Sequence, residues 1–310
     1  MVEYHFNTRE SLLKSQEVFL LKPIVRQSWE LSYGDVKITK KLGDGAFSEV
    51  HAGKMTLSNG SKMTVAVKVV KLEVLTKEQI RKVLSETRLM RQFDHPNVIK
   101  FYGVAAGQEP FLAIMELANC GALDMYLRNN EQPMDKKNEM CLQAAWGLEY
   151  LHAKNILHMD IAARNCLYGD NKVKISDFGL AHEGTFYQMD PSKRIPIRWL
   201  APETLILAIY TQKTDVFCYG ILCWEIYNNG MEPYPGMSIA EVNQCVRKGY
   251  RMELPRNIHP DIQKYIKTDS VLVGESKSSI HNGETGKTPR KNSANPETKV
   301  RGEQLHVISK

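Results

Sequence analysis

The hydrophobic pattern of the chain changes near residue 120, and this change limits the folds that the chain can adopt. Residues 65–70 and 111–115 are short apolar runs of the kind that form buried strands. Residues 76–91, between them, carry apolar side chains at helical spacing. Beyond residue 120 the clearest patterns are those of helices, at 138–153 and 213–229, and the second is apolar on nearly all sides. The sequence therefore predicts an α+β fold in which a small strand-rich lobe is followed by a larger helical lobe.

Composition excludes several classes of protein. The 310 residues are 43% hydrophobic and 25% charged, which excludes a wholly disordered chain, a collagen-like chain and a coiled-coil rod. The net charge of +6 is small for a dedicated nucleic-acid-binding protein, so we expect no nucleic-acid partner. No apolar run reaches the roughly 18–20 residues that span a bilayer, so we expect no transmembrane segment.

The cysteines favour a reducing compartment. None of the six forms a Cys-x-x-Cys pair, and their spacing fits neither a disulfide framework nor a zinc site. We therefore expect buried free thiols in a cytoplasmic protein. The six residues are Cys120, Cys141, Cys166, Cys218, Cys223 and Cys245.

Residues 268–310 differ in composition from the rest of the chain. They are rich in Ser, Thr, Asn, Gly, Lys and Glu and contain few apolar residues. Such a segment cannot bury enough apolar surface to offset the entropy lost on ordering. We expect a disordered polar tail, either simply solvated or able to bind a partner.

A segment with two glycines lies between two strand-like stretches and has the composition of a phosphate-binding loop. Glycine lets the backbone approach a phosphate closely, and free backbone amides bind anionic oxygens. An ordinary hairpin turn is the alternative. The segment consists of Leu42, Gly43, Asp44, Gly45, Ala46, Phe47, Ser48, Glu49 and Val50.

Two charged residues farther along the chain fit the same chemistry. Lys68, in the strand predicted at 65–70, is a point charge suited to phosphate oxygens. Glu86, on the helix predicted at 76–91, could hold the ammonium group of Lys68 in place. For each residue the alternative is a side chain that simply faces water.

Three polar residues in two later loops restrict the function most. Asp160 and Asn165 are five residues apart in a loop between two apolar stretches, and Asp177 follows the alternating segment 173–175. An aspartate in such a loop can orient a substrate hydroxyl and accept its proton. Asparagine and aspartate oxygens are hard ligands that suit Mg²⁺.

In their order and spacing these segments resemble the signature set of the protein kinase family. The resemblance covers residues 36–267 and includes Asp177-Phe178-Gly179 and Ala201-Pro202-Glu203. It implies a bilobal fold, with an antiparallel β N-lobe at 36–118 and a mainly helical C-lobe at 119–267. It also implies ATP and Mg²⁺ as cofactors.

The resemblance implies a role for each of the residues named above. Asp160 would be the catalytic base, Asn165 and Asp177 would bind Mg²⁺, and Asp215 would brace the catalytic loop. The catalytic residues would be Asp160, Arg164, Lys68 and Glu86. The residues that contact ATP would be Leu42, Gly43, Asp44, Gly45, Ala46, Phe47, Ser48, Val50, Ala66, Lys68, Met115, Glu116, Ala118 and Leu167, with Met115 as gatekeeper and 116–118 as the hinge.

The catalytic loop is similar to that of tyrosine kinases. Serine/threonine kinases usually carry a lysine two residues after the catalytic aspartate, where this chain has Ala162, and Arg164 completes a run typical of tyrosine kinases. The segment 196–199 also resembles their substrate platform. The resemblance implies transfer of the γ-phosphoryl group of Mg-ATP to tyrosine in protein substrates, with Tyr187 as a candidate phosphorylation site. The alternative for Tyr187 is an ordinary exposed aromatic side chain.

Residues 1–35 resemble the end of a Src-homology-2 domain and its linker, as in the non-receptor Fes/Fer family and particularly its nematode members. Fewer than 30 residues of that domain would be present, so we expect no phosphotyrosine ligand. The wider family leaves peripheral association with the plasma membrane as an alternative to a purely cytoplasmic location.

Three departures from the family pattern affect the expectations. Ser48 replaces the third glycine of the loop, which we expect to have a modest effect. Met159 replaces an arginine that pairs with the activation-loop phosphate, and methionine has neither charge nor strong donors, so activity should depend less on Tyr187 phosphorylation. We expect the final C-lobe helices of the family to be missing after residue 267, which would leave Glu203 without its arginine. A catalytically weak kinase-like scaffold or binding protein is therefore the alternative function.

Overall fold

The computed structural model of the chain describes residues 7, 8, 11, 27–45, 48–190, 195–255, 258 and 263. The expected tail at 268–310, most of the expected Src-homology-2 remnant and most of 256–267 lie outside the described residues. Ala46 and Phe47, in the glycine-containing segment, also lie outside them.

The first lobe is built on a five-stranded antiparallel sheet with the order β1-β2-β3-β5-β4. Its buried face is lined by branched apolar side chains such as Val65, Val67 and Ile114, each fully buried. This is the core expected from the apolar runs at 65–70 and 111–115. The strands are β1 (Val36–Asp44), β2 (Ser48–Thr56), β3 (Lys62–Val70), β4 (Phe101–Ala105) and β5 (Phe111–Glu116).

One helix, α1 (Lys77–Met90), follows β3 and confirms the helix predicted at 76–91. Thr76 starts it with a capping box, in which its hydroxyl accepts from the Gln79 amide and the Gln79 side chain accepts from the Thr76 amide. The buried residues of α1 are on one face, so the helix packs on the sheet with its opposite face in water.

The segment before β1 extends the sheet at its open edge. The Val104 amide donates to the carbonyl of Trp29, and the Leu31 amide donates to the carbonyl of Val104, both at 2.8 Å. Gly103 is required here, because a Cβ atom at that position would overlap the Trp29 carbonyl. The Trp29 ring also lies 3.9 Å from the guanidinium carbon of Arg91, at the end of α1.

The second lobe is mainly helical and contains three short two-stranded pairs. Its helices are α2 (Leu123–Asn129), α3 (Met134–Ala153), α4 (Pro202–Leu207), α5 (Gln212–Tyr227) and α6 (Ile239–Arg247). The pairs are β6 (Ile156–Leu157) with β9 (His182–Glu183), β7 (Cys166–Gly169) with β8 (Lys172–Ile175), and β10 (Phe186–Gln188) with β11 (Ile209–Thr211).

The two helices predicted in this lobe are present, with shifted ends. α3 begins at Met134, four residues before the predicted start, and α5 ends at Tyr227, two residues before the predicted end. Eleven of the sixteen residues of α5 are buried, which explains why its sequence is apolar on nearly all sides. The α+β, two-lobed architecture is confirmed.

The expectation that the thiols would be buried is wrong for one cysteine. All six cysteines are free, and Cys141, Cys166, Cys218 and Cys223 are buried, but Cys120 is exposed. Cys120 lies in the turn between β5 and α2, where the chain runs over the surface, and Cys245 is half-buried. Among the described residues no helix is long and apolar enough to span a bilayer.

Candidate active site

The glycine-containing segment forms the turn between β1 and β2. Leu42, Gly43 and Asp44 end β1, and Ser48 and Val50 begin β2. At the turn itself, the Gly45 amide donates to the carbonyl of Ser48 at 2.7 Å. The segment therefore belongs to a hairpin. This geometry agrees with both interpretations of the sequence, an ordinary hairpin turn and a phosphate-binding loop.

Lys68 and Glu86 form an ion pair between the sheet and the helix. The Nζ atom of Lys68 lies 2.8 Å and 3.0 Å from the two carboxylate oxygens of Glu86. The side chains are 24% and 11% exposed, so the pair is shielded more than a surface ion pair. The expected contact between the two residues is present.

The residues assigned to the adenine pocket lie on two neighbouring strands and on β7. Ala66 of β3 is directly opposite Met115 of β5, Glu116 ends β5, and Leu167 belongs to β7 in the second lobe. Ala118 lies in the connection between β5 and α2.

The side chain of Glu116 is already occupied by protein partners. One of its carboxylate oxygens lies 3.0 Å from Lys174 Nζ, and the other accepts from the Lys100 amide at 3.3 Å. The Glu116 backbone amide also donates to the Lys100 carbonyl at 2.9 Å, so both the carboxylate and the amide of Glu116 are occupied.

Asp160 lies in the loop between β6 and β7 and is tied to two neighbours. One carboxylate oxygen accepts from Arg164 Nη2 at 2.5 Å, and the other accepts from Asn165 Nδ2 at 2.7 Å. Asn165 Nδ2 also donates to the Asp160 carbonyl at 2.8 Å. Both donors of the Asn165 amide are thus used, which leaves its side-chain oxygen as the group free to accept or to ligate.

Asp177 is joined to the same loop through its neighbour. Both the amide and the hydroxyl of Ser176 donate to the carbonyl of Asn165, at 2.9 Å and 2.8 Å. Asp177 itself is exposed and has a positive φ of 60°, and Phe178 after it is buried. The structure therefore brings the backbones that carry Asn165 and Asp177 together.

Asp215 is buried at the start of α5 and receives four hydrogen bonds. The amides of His158 and Met159 donate to its two oxygens at 2.9 Å and 3.0 Å. Met159 has a positive φ of 69°, a strained conformation for a side chain of this size. The carboxylate thus fixes the backbone immediately before Asp160.

Sequence reasoning missed the other two partners of Asp215. Tyr210 donates its hydroxyl to one oxygen at 2.6 Å, and His152 Nε2 lies 3.0 Å from the other. Burial raises the pKa of Tyr210 well above its usual value, so the hydroxyl stays protonated as a donor. Neither residue belongs to a recognised motif. His152 is 63 residues from Asp215 and is brought there by the fold, whereas Tyr210 is only five residues before Asp215.

Tyr187 is on β10, where its backbone pairs with Tyr210 of β11. Its side chain is half-buried, and its ring centroid lies 4.7 Å from that of His182. Tyr187 is therefore not simply an exposed aromatic side chain.

Glu203, at the start of α4, has an incomplete set of partners. One carboxylate oxygen accepts from the Thr214 hydroxyl at 3.1 Å, and the other is buried without a hydrogen-bond partner among the described residues. Burial raises the pKa of Glu203, and the positive charge of Arg251 opposes part of that rise.

Comparison with known proteins identifies the family of the chain. The family described as protein tyrosine and serine/threonine kinase matches residues 36–270. The human tyrosine-protein kinase Fer is 40% identical over 270 residues, which are 85% of this chain and 32% of Fer. Fer-related kinase 1 of Caenorhabditis elegans is 36% identical over 84% of this chain and 67% of its own length.

A viral protein is also similar to the chain. The transforming protein Fps of Fujinami sarcoma virus is 32% identical over 85% of this chain and 30% of its own length. The chain spans about a third of Fer and Fps, and about two thirds of the nematode relative. The resemblance to Fes/Fer tyrosine kinases is confirmed, and the chain belongs to the protein tyrosine and serine/threonine kinase family.

Proposed function

We propose that the chain is a non-receptor protein tyrosine kinase that transfers the γ-phosphoryl group of Mg-ATP to tyrosine in protein substrates. The observation that carries the proposal is the joining of Asp160, Arg164 and Asn165 in one hydrogen-bonded loop. Phosphoryl transfer needs positioned groups and neutralised charge more than covalent help from the protein. The tyrosine-protein kinases among its relatives favour tyrosine as the acceptor.

ATP would lie between the two lobes, beneath the β1–β2 turn. Lys68, held by Glu86, would contact the α- and β-phosphates through its ammonium group. The apolar side chains of Ala66, Met115 and Leu167 would flank the adenine. The other proposed contacts are Leu42, Gly43, Asp44, Gly45, Ala46, Phe47, Ser48, Val50, Glu116 and Ala118.

The chemistry of Asn165 and Asp177 fits Mg²⁺. A small hard cation prefers oxygen ligands, and the free side-chain oxygen of Asn165 and the exposed carboxylate of Asp177 are such ligands. Bound there, the ion would neutralise charge on the phosphate oxygens. The Ser176 bonds hold the two ligand-bearing segments at one place.

Asp160 would act as the base toward the acceptor. The tyrosine oxygen attacks the γ-phosphorus, the new oxygen–phosphorus bond forms as the bond to the β-phosphate oxygen breaks, and the phenolic proton goes to Asp160. Arg164 Nη2 holds the Asp160 carboxylate during this step. ADP is the leaving group.

The second candidate function is a kinase-like scaffold with weak catalysis or none. One oxygen of Glu203 has no hydrogen-bond partner among the described residues, and this favours the scaffold, because the family resemblance implies an arginine partner for that carboxylate. We also propose 1–35 as a Src-homology-2 remnant with its linker, 36–267 as the kinase domain and 268–310 as a polar tail.

We propose a cytoplasmic location, with peripheral association at the plasma membrane as the alternative. The six free thiols support a reducing compartment. No phosphotyrosine ligand is proposed for the remnant. Tyr187 is proposed as a phosphorylation site.

Transfer of phosphate from labelled ATP to a Glu/Tyr polymer tests the proposed function. Transfer that requires Mg²⁺ and is lost in Asp160→Asn, but kept in the exposed control Asp135→Asn, is the expected result. A folded wild-type chain that transfers no phosphate would overturn the kinase proposal and favour the scaffold. A Glu/Ser polymer in parallel tests the choice of acceptor.

A further inference from the structure

A buried carboxylate lies beneath the catalytic loop. Glu225 is near the end of α5 and is 3% exposed. Its Oε2 atom accepts from the indole nitrogen of Trp199 at 2.9 Å and from the Ala163 amide at 3.0 Å. One oxygen therefore joins the turn before α4 to the loop that carries Asp160.

Arg164 completes a path from this carboxylate to Asp160. Its guanidinium carbon lies 4.0 Å from the centroid of the Trp199 ring, a cation–π contact. Its Nη2 atom donates to Asp160. The Trp199 ring that supports Arg164 is thus itself held by Glu225.

We propose that Glu225 is a positioning residue, whose ionised carboxylate fixes Trp199 and Ala163 so that Arg164 stays on Asp160. Glu225 is not in hydrogen-bond contact with Asp160, so it acts through its neighbours. The inference rests on the proposed kinase function. It adds to that function a dependence of the catalytic loop on the charge of a residue in α5.

Charged and titratable groups surround Glu225 on several elements. Arg164, in the catalytic loop, favours the ionised carboxylate, and Asp124, on α2, opposes it. The buried Cys166 thiol of β7 also faces it, since the charge of Glu225 helps to raise the pKa of that thiol. Glu225 also borders a cavity of about 620 Å³, which is lined as well by Arg128 of α2 and by Glu232 after α5.

These surroundings make the carboxylate titrate near neutrality. Burial raises the pKa of Glu225 to about 7, and the hydrogen bonds from Trp199 and Ala163 limit the rise. Above that pH the ionised carboxylate attracts both donors and Arg164. Below it the charge is lost, so Arg164 should be held less firmly and phosphate transfer should decline.

Tryptophan fluorescence tests the network without any need for turnover. The chain has four tryptophans, and the difference between wild type and Trp199→Phe isolates the signal of Trp199. We expect that difference signal to change with pH around 7. The corresponding difference between Glu225→Gln and the double variant Glu225→Gln/Trp199→Phe should not change with pH. Trp146→Phe, which removes a partly exposed tryptophan of α3, is the matched control and should keep the transition. A wild-type Trp199 signal that is flat between pH 6 and 8 would overturn the proposal.

The pH profile of kcat tests the consequence for catalysis. Wild type should lose activity as pH falls through about 7. Glu225→Gln should lower kcat at pH 8 by about tenfold, less than the ~100-fold that a 1 Å misplacement can cost, with KM for ATP unchanged. Its profile should lack the fall near pH 7. A Glu225→Gln enzyme with the wild-type kcat and profile would refute the assignment.

Trp199→Phe gives a second test that does not remove the carboxylate. The indole donor favours the ionised form of Glu225, so its loss should raise the pKa and move the fall in kcat to higher pH. A purely structural role would lower kcat at all pH values without moving the profile. If wild type shows no turnover, the kinase proposal fails, while the fluorescence titration still decides whether Glu225 controls Trp199.

Discussion

Lys68 and Glu86 connect β3 to α1 through two hydrogen bonds of 2.8 Å and 3.0 Å. Lys68 is fixed along its strand by neighbours on both sides, since its backbone pairs with Val50 of β2 and Ala113 of β5. The position of the ammonium group is therefore set by the sheet and by the helix together. A point charge held in this way can contact a phosphate without losing further freedom.

Replacing Glu86 with glutamine should weaken nucleotide use while preserving the fold. The amide keeps the shape of the side chain but removes the charge that holds Lys68 in place. We expect kcat/KM for ATP to fall about 10- to 100-fold. Glu78→Gln, an exposed change on the same helix, is the matched control in the same ATP titration. Equal values for the two variants would show that the ion pair does not contribute.

Tyr210→Phe should affect both stability and catalysis. It removes a buried hydrogen bond to the charged Asp215 carboxylate, which typically contributes about 1.5–3 kcal/mol to the free energy of unfolding. Because Asp215 holds the backbone before Asp160, kcat should fall as well. Urea denaturation and steady-state kinetics measure the two effects.

Tyr219→Phe provides the comparison for Tyr210→Phe. The Tyr219 hydroxyl donates to the neutral carbonyl of Cys141 at 3.0 Å, so its loss should cost only about 0.5–1.5 kcal/mol and leave kcat unchanged. If Tyr210→Phe and Tyr219→Phe had the same free energy of unfolding and the same kcat, the position of Asp215 would not depend on the Tyr210 hydroxyl.

Glu203→Gln should stabilise the chain at neutral pH. Burial raises the pKa of Glu203 in the folded state, so the folded chain binds the proton more tightly than the unfolded chain does. The wild-type carboxylate therefore reduces stability at pH values above its ordinary pKa of 4.5, and removing the charge should recover about 1 kcal/mol at pH 7. The gain should shrink as the pH falls and vanish below the ordinary pKa of 4.5, where the carboxyl group is protonated in both states. Thermal melts of Glu203→Gln and of the exposed control Glu73→Gln across that range give the answer, and a gain independent of pH would contradict the explanation.

Gly147→Ala should destabilise α3 despite the higher helix propensity of alanine. An added Cβ atom would lie 2.5 Å from the carbonyl oxygen of Asn97, which accepts a hydrogen bond from the Ile175 amide. Overpacking of this kind costs about 1–3 kcal/mol, more than the roughly 1 kcal/mol that alanine gains over glycine in a helix. Chemical denaturation measures the net change, and a stabilised variant would mean that the Asn97 loop moves away freely.

Tyr187→Phe should leave most of the kinase activity intact. Met159 offers no charge to a phosphate on the activation loop, and the ring of Tyr187 keeps its contact with His182 without the hydroxyl. We expect initial rates within about threefold of wild type, a change of about 0.7 kcal/mol in the activation free energy. A much larger loss would show that Tyr187 phosphorylation controls activity through another residue.

The parts of the fold that sequence predicted are those with a local signal. α1 has both helical spacing and a capping box at Thr76, and its ends agree with the prediction within one residue. β1 was predicted only as a strand-like stretch without bounds, because only its first residue is buried and its other side chains show no alternation. The short pairs of the second lobe, such as β10 with β11, are likewise too short to leave a pattern.

The residues of the candidate site also differ in whether the sequence carries a signal for them. Asp160, Asn165 and Asp177 were identified because their order and spacing are themselves the signal. His152 and Glu225 were not, because each contacts a residue that only the fold brings near: His152 and Asp215, for example, are 63 residues apart. Tyr210 is only five residues before Asp215, but this spacing belongs to no recognised motif. No periodicity encodes such pairs, and they are visible only once α3, α5 and the catalytic loop are packed together.

The pairing of Trp29 and Leu31 with Val104 affects where the folded unit can be cut. A recombinant chain that started at Val36 would leave the outer edge of β4 with unpaired amide and carbonyl groups, and Arg91 without the ring on which it stacks. An open edge strand is a template for association with another copy. Such a shortened protein should aggregate even with every active-site residue present, so the unit to express begins before Gln27.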